Sequence, residues 1–306
     1  MPWRAHLLPY LPPPIAQALR SFDQAQADAL REIRLRAGRP VEWVAAPGAG
    51  SALAILPWIP EDEDIARIAQ SLLEHSAYAH QEDVRLGYLT LRGGHRVGLC
   101  GRALVERGTL AGIRDIRSLC LRIARAVPGA ADWLMPLLMP SGEPPRSTLL
   151  FSAPGLGKTT LLRDAVRQLS DRCGQRVSVA DERSEIAACV RGRPQMDVGR
   201  RTDVLDACPK AAGMMVLLRA MAPQWLAVDE IGRPEDAEAL LESALCGVPV
   251  IATAHAGGFQ ALSARPVMRP LLQAGVFAQC VRLAPNACPD GLWDAKGKRV
   301  PMDHEL

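Results

Sequence analysis

The 306-residue chain carries 36 Lys+Arg against 33 Asp+Glu, a formal net charge of +3, with 48% hydrophobic and 23% charged residues. Those proportions are those of a soluble globular protein and exclude disorder and collagen. The near balance of charge argues against duplex DNA binding by counterion release as the main activity. At about 150 residues per domain, the length suggests two domains. The basic residues divide into 32 Arg and only 4 Lys, so each Lys is informative. The eight cysteines, at 100, 120, 173, 189, 208, 246, 280 and 288, form no CxxC and no zinc-binding spacing. With no secretory signal at the start, reduced thiols in the cytoplasm are expected.

The first half mixes short strands and helices. Glu32–Arg36 alternates charged and apolar side chains, the period of a half-buried strand, and Gly38 and Pro40 mark a turn before Val41–Ala45. The uncharged stretch from Trp43 to Pro60 is interrupted by Pro47, Pro57 and Pro60 with Gly48 and Gly50. It reads as a strand and an apolar loop, and no membrane span is predicted. Ile65, Ile68, Ala69, Leu72 and Leu73 recur at helical spacing and predict a helix over 61–75. Arg85–Leu91 and His95–Leu104 flank Gly93-Gly94, a favourable hairpin turn, and Arg107-Gly108 offers a second. Pro140–Arg146, with Pro144-Pro145 inside it, is the predicted linker. The expected organisation is an α+β N-terminal domain over 1–140, a linker over 141–146 and a second domain over 147–306.

Beyond the linker, strands alternate with helices. Ser147–Ser152, Val177–Ala180, Trp225–Val228 and Val248–Thr253 are predicted strands. Helices are predicted over 158–172, 214–221 and 234–246, the last with Pro234 at its start and Glu235 and Asp236 in its first turn. This alternation predicts an α/β domain with a mostly parallel sheet and helices on both faces.

The strongest chemical signal is Ser152-Ala153-Pro154-Gly155-Leu156-Gly157-Lys158-Thr159-Thr160, set between a predicted strand and a predicted helix, where a P-loop belongs. Its glycines let backbone N–H groups turn toward a phosphate, and the helix N-terminus adds its positive end. Lys158 reaches the outer phosphates and the Thr159 hydroxyl ligates Mg²⁺, so ATP and Mg²⁺ are the expected cofactors. Ser152 stands where the consensus has Gly, and a residue this small is expected to fit. An idle Lys is improbable in a chain where Arg outnumbers it eight to one.

Two apolar strands end in acid pairs, Asp181-Glu182 and Asp229-Glu230. Beside a P-loop, Asp229 is assigned to the metal shell and Glu230 to orienting and deprotonating the attacking water. Glu182 and Glu185 are the competing candidates for that base. Thr253-Ala254-His255 ends a third strand, and His255 is a candidate sensor of the γ-phosphate.

From the P-loop to His255 the sequence resembles the secretion and type IV pilus ATPases, RecA-like hexameric motors. Asp181–Ile186 resembles their acidic box, with Asp-Glu in place of Glu-Asp. Leu218-Arg219, Pro223 and the strand to Glu230, then Ile231–Arg233 and Glu235, resemble their Walker B region, with Asp229 where Gly is usual. Thr253–His255 matches their histidine box. A closer resemblance, to the stage III sporulation AA family, covers most of the chain. It is carried by Glu32–Arg36, Gly94–Gly98, Ser118–Arg125, Asp181–Ile186, Arg201–Asp206, Pro209-Lys210 and Ala227–Gly232. That resemblance implies a homo-oligomeric ATPase, hexameric by family, at the cytosolic face of the mother-cell membrane. It also implies membrane-protein partners in a channel to the forespore.

A nucleic-acid-dependent ATPase, a helicase or packaging motor, is the alternative, favoured by Arg114, Arg117, Arg122 and Arg125. Against it stand the 16 basic and 14 acidic residues that nearly balance before position 140, and the small supply of stacking aromatics, six Trp, three Tyr and four Phe. No direct nucleic-acid partner is expected. Arg201, Arg219 and Arg233 are candidates for a trans-acting arginine.

Overall fold

In the computed structural model, which describes residues 2–45, 56–76, 87–106 and 108–301, the chain divides into two units. One comprises Met1–Arg125 with Ala188–Gln195, the other Ala126–Ala187 with Met196–Leu306.

The first unit holds a five-stranded antiparallel sheet of β1 (Leu30–Arg36), β2 (Glu42–Ala45), β3 (Tyr88–Thr90), β4 (Arg96–Glu106) and β5 (Thr109–Arg122). Their order is β2-β1-β5-β4-β3. The alternation seen at Glu32–Arg36 is real: Ile33 and Leu35 are fully buried opposite Leu121 and Leu119 of β5. The helix Asp62–Ser76 buries Ile65, Ile68, Ala69 and Leu72 in the same core. The hairpin turn at Gly93-Gly94 forms as expected, both glycines having positive φ (81° and 78°) and Thr90 lying opposite Arg96. The second hairpin joins β4 to β5 with Glu106 opposite Thr109, while Arg107, like Arg85 and most of the apolar loop after Trp43, lies outside the described residues. Three helices that sequence reading passed over, Pro2–Leu7, Pro13–Ser21 and Gln24–Ala29, precede β1.

The second unit is built on an eight-stranded sheet. Its strands are β6 (Thr148–Ser152), β7 (Val177–Asp181), β8 (Thr202–Asp206), β9 (Trp225–Val228), β10 (Val250–His255), β11 (Gln279–Leu283), β12 (Pro289–Asp294) and β13 (Arg299–Val300). The order is β13-β12-β11-β6-β10-β9-β7-β8. From β8 to β11 all pairings are parallel, and only the pairings of β11 with β12 and of β12 with β13 are antiparallel. Every residue of β6, β7 and β9 is buried, as a parallel strand covered on both faces requires. The three expected helices form over Lys158–Asp171, Lys210–Met221 and Pro234–Leu245, the second starting a turn earlier than the expected 214. The segment before β6 is bonded into this unit: Ala131 N–H donates to Asp164 (2.9 Å), and Gln279 donates to the Leu137 carbonyl (2.9 Å). All eight cysteines are free thiols. Among the described residues no helix is long and apolar enough to cross a membrane.

Candidate active site

The strand register brings the polar groups together. Val228 lies opposite both Ala252 of β10 and Ala180 of β7, so the residues that follow, Asp229, Thr253 and Asp181, form a row along one sheet edge. Ligands of open parallel sheets bind at this C-terminal edge.

From β6 the chain turns through Ala153–Gly157 into the helix Lys158–Asp171. Gly155 and Gly157 take φ of 78° and 92°, conformations that favour glycine, and a Cβ on Gly157 would lie 3.2 Å from the Ala287 side chain. Ala287 N–H donates to the Leu156 carbonyl (3.1 Å), fixing the far side of the loop. Ala153, Pro154 and Gly155 are exposed, and Leu156, Thr159 and Thr160 half-buried. The Lys158 ammonium is buried and donates to Ser152 O (3.2 Å), Ser152 Oγ (3.1 Å) and Ala153 O (2.9 Å). Burial lowers its pKa, opposed by the charges of Asp229 and Glu230. Ser152 therefore does more than fit: its hydroxyl is one of three oxygens holding the ammonium.

Thr159 Oγ1 donates to Asp229 Oδ2 at 2.6 Å. The other Asp229 oxygen is bonded to Thr253 Oγ1, which also accepts the Glu230 N–H (2.8 Å). The Thr159 hydroxyl and Asp229, the acid that follows β9, are thus in direct contact. Glu230 has φ of 56°, the left-handed region. Its carboxylate takes a hydrogen bond from Arg183 Nη1 (2.7 Å), and His255 Nε2 lies 3.9 Å away. His255 Nδ1 is buried with no hydrogen-bond partner among the described residues.

The acids after β7 have separate tasks. Asp181 is 2% exposed and accepts N–H bonds from Glu185 (2.9 Å), Ile186 (3.1 Å) and Ala187 (2.8 Å). Burial pushes its pKa up to about 6, against the downward pull of those bonds. Its oxygens tie down the loop that follows. Glu182 faces Arg233 (3.2 Å) and Lys210 (3.7 Å). The Glu185 carbonyl is held by the Arg163 guanidinium (2.6 Å), whose pKa burial lowers. Glu182, Glu185, Asp229 and Glu230 line one small cleft with Asp181, Arg183 and Lys210. Sequence reading assigned no role to Arg183, Arg163 or Lys210. For Lys210 the signal was present, as one of the chain's four lysines.

A family model described as sporulation stage III, protein AA matches residues 11–300. The chain belongs to that family. The stage III sporulation protein AA of Bacillus subtilis (strain 168) is 41% identical over 278 residues, covering 90% of this chain and 89% of that protein. An uncharacterized protein, ycf45, of Porphyra purpurea is 32% identical over 159 residues, covering 52% of this chain and 27% of its own length. Among solved structures, the Legionella pneumophila ATPase DotB superposes with a TM-score of 0.59 at 18% identity, covering 89% of this chain and 76% of that one. The pilus retraction motor PilT, solved with bound ADP, gives 0.55 at 16%, covering 90% and 79%. At such identities the likeness establishes the fold. This member of the sporulation stage III AA family has the RecA-like architecture of secretion and pilus ATPases.

Proposed function

We propose that this chain is an ATP-hydrolysing motor whose site is the edge formed by the P-loop, β7, β9 and β10. The observation that carries the reading is the 2.6 Å contact between Thr159 and Asp229, residues 70 positions apart in the chain. Two hard oxygen donors meeting beside a helix N-terminus fit Mg²⁺, which keeps several waters and leans on one or two protein oxygens plus phosphates. When bound, it would neutralise charge on the outer phosphates. Ser152–Thr160 supply the phosphate cradle, with the Lys158 ammonium exchanging its loop oxygens for phosphate oxygens. Glu230 is assigned to orient water and take its proton, with Glu182 and Glu185 as the competing bases and His255 as the sensor of the γ-phosphate.

The family and the fold support the wider reading. The motor acts as a homo-oligomeric ring, a hexamer, at the cytosolic face of the mother-cell membrane. With membrane proteins it energises assembly of, or transport through, a channel to the forespore. In this scheme the first of the two units assists the second, which carries the site. Of the arginines that favour a nucleic-acid motor, Arg125 is mostly buried beside Asp28, whereas Arg114, Arg117 and Arg122 are exposed in surface ion pairs with Asp115, Asp62 and Glu32.

The test is paired. Lys158→Ala should abolish ATP binding, and Glu230→Gln should preserve binding while lowering hydrolysis about 10²-fold, the scale of losing a general base. Wild-type affinity in the first variant overturns the P-loop assignment. Near-normal turnover in the second, with collapse in Glu182→Gln, moves the base to the first acid pair. Turnover raised by single-stranded or duplex DNA would favour the nucleic-acid motor.

A further inference from the structure

We infer that Lys210 is a positioning residue for Glu230, holding the peptide of that residue so that its carboxylate is presented to the cleft. This rests on the reading of Glu230 as the base.

Four observations converge on it. Lys210 opens the helix Lys210–Met221 and is only 7% exposed. A cation at a helix N-terminus opposes the helix dipole, and no acidic residue in that first turn offsets it. A local rule broken in this way points to a task outside the helix. The ammonium donates to the Glu230 carbonyl at 2.6 Å and lies 3.7 Å from Glu182 and 3.9 Å from Asp236. A buried charge needs such partners, and the ammonium bonds the one carbonyl with two carboxylates within ion-pair distance.

The fourth observation is the conformation of Glu230 itself. A glutamate at φ 56° is strained and persists only where its surroundings hold it. One side is held by Thr253, which accepts the Glu230 N–H at 2.8 Å. The other side is held by Lys210. The next amides are fixed as well, Ile231 N–H on the Thr253 carbonyl (2.8 Å) and Gly232 and Arg233 N–H on Asp236 (3.0 Å each). Lys210 bonds Glu230 and lies within ion-pair distance of that Asp236 anchor, so it braces the turn from β9 into the helix Pro234–Leu245. Its approach to Glu182 also ties this turn to the end of β7.

The experiment compares Lys210→Met, which keeps the apolar stem, with Lys210→Arg, Lys210→Ala and Glu230→Gln in the full chain. Lys210→Met should lower kcat about ten- to hundredfold, the cost of misplacing a reacting group by about an ångström. Affinity for a fluorescent ATP analogue should stay within about threefold. Amide hydrogen exchange over 230–233 should accelerate in that variant without nucleotide, a readout independent of turnover. Lys210→Arg should recover part of both losses. In Lys210→Ala, added ethylammonium should restore turnover, and tetramethylammonium, which has no N–H, should not. Unchanged kcat or unchanged exchange in Lys210→Met overturns the proposal. If that variant does not fold, failure of ethylammonium to restore Lys210→Ala overturns it equally. A drop in Glu230→Gln with none in Lys210→Met condemns Lys210 alone, whereas equal turnover in wild type and Glu230→Gln condemns the base assignment.

Discussion

Asp181→Ala tests whether the acid that ends β7 is a loop anchor. Its carboxylate accepts three backbone N–H bonds, and two of the donors, Ile186 and Ala187, belong to fully buried residues. An alanine leaves those amides without an acceptor, at about 1–3 kcal/mol each. The half-buried Glu185 amide adds less, and removing a buried charge offsets part of the total. The expected loss at pH 7 is about 3–5 kcal/mol, read from urea denaturation. A pH series adds a second arm. The folded-state pKa of about 6 lies above the ordinary 3.8, so the folded protein holds a proton that the unfolded chain has released. The Asp181 contribution to stability is then complete below about pH 4 and is lost as pH rises through 6. At about 1.36 kcal/mol per pKa unit, that slope amounts to at most about 3 kcal/mol. The difference between wild type and variant should show it. A variant as stable as wild type at pH 7, or a difference that is flat from pH 4 to 6.5, refutes the anchor.

Two further outcomes follow from the geometry. Ser152→Gly should bind ATP about two- to tenfold more tightly, because Lys158 then has one hydrogen bond fewer to release, about 0.5–1.5 kcal/mol; weaker binding by isothermal titration would show that the hydroxyl serves the bound state. His95 is buried, accepts the Ala124 N–H on Nδ1 (3.0 Å) and lies 3.3 Å from His6, and burial first, then His6 and Arg125, lowers its pKa to about 4. Its contribution is therefore present above about pH 6.5 and lost as pH falls toward 4, so a wild-type minus His95→Gln stability difference that does not shrink on acidification would contradict a neutral buried imidazole.

Much of the candidate site was legible because it is local. Ser152–Thr160 lies on one strand, one loop and one helix turn, and each chemically important strand announces itself as an apolar run ending in a polar residue. The parallel register then needs no further information to set Asp181, Asp229 and Thr253 in a row. Elements with weaker patterns were passed over. β8 is half-buried throughout its length, an edge strand with polar Thr202, Asp203 and Asp206 among five residues, and so lacks an apolar run. The helix Gln24–Ala29 did carry a signal, a capping box of Asp23 and Gln26. The joining of Ala188–Gln195 to the first unit leaves no trace in composition, since it is decided by tertiary contacts.

The cations explain what composition could not supply. The acids at the sheet edge repel one another, and the structure answers Glu182 and Glu230 with bases from elsewhere in the chain, while Asp181 and Asp229 are held by backbone N–H and hydroxyl groups. Arg183 meets Glu230 across 47 positions, Arg163 holds the loop after Asp181 from the helix Lys158–Asp171, and Lys210 bonds the Glu230 carbonyl within ion-pair distance of Glu182 and Asp236. A strand-end acid is predictable because strand periodicity fixes where it falls. Its counter-charge is not, because a long flexible side chain reaches the same oxygen from several elements, and only the packing decides which one delivers it. In an arginine-rich chain that ambiguity is greatest, and the rare lysine is the residue whose place is most informative. Lys158 and Lys210, two of the chain's four lysines, are both buried at this edge, one on the loop after β6 and one behind Glu230.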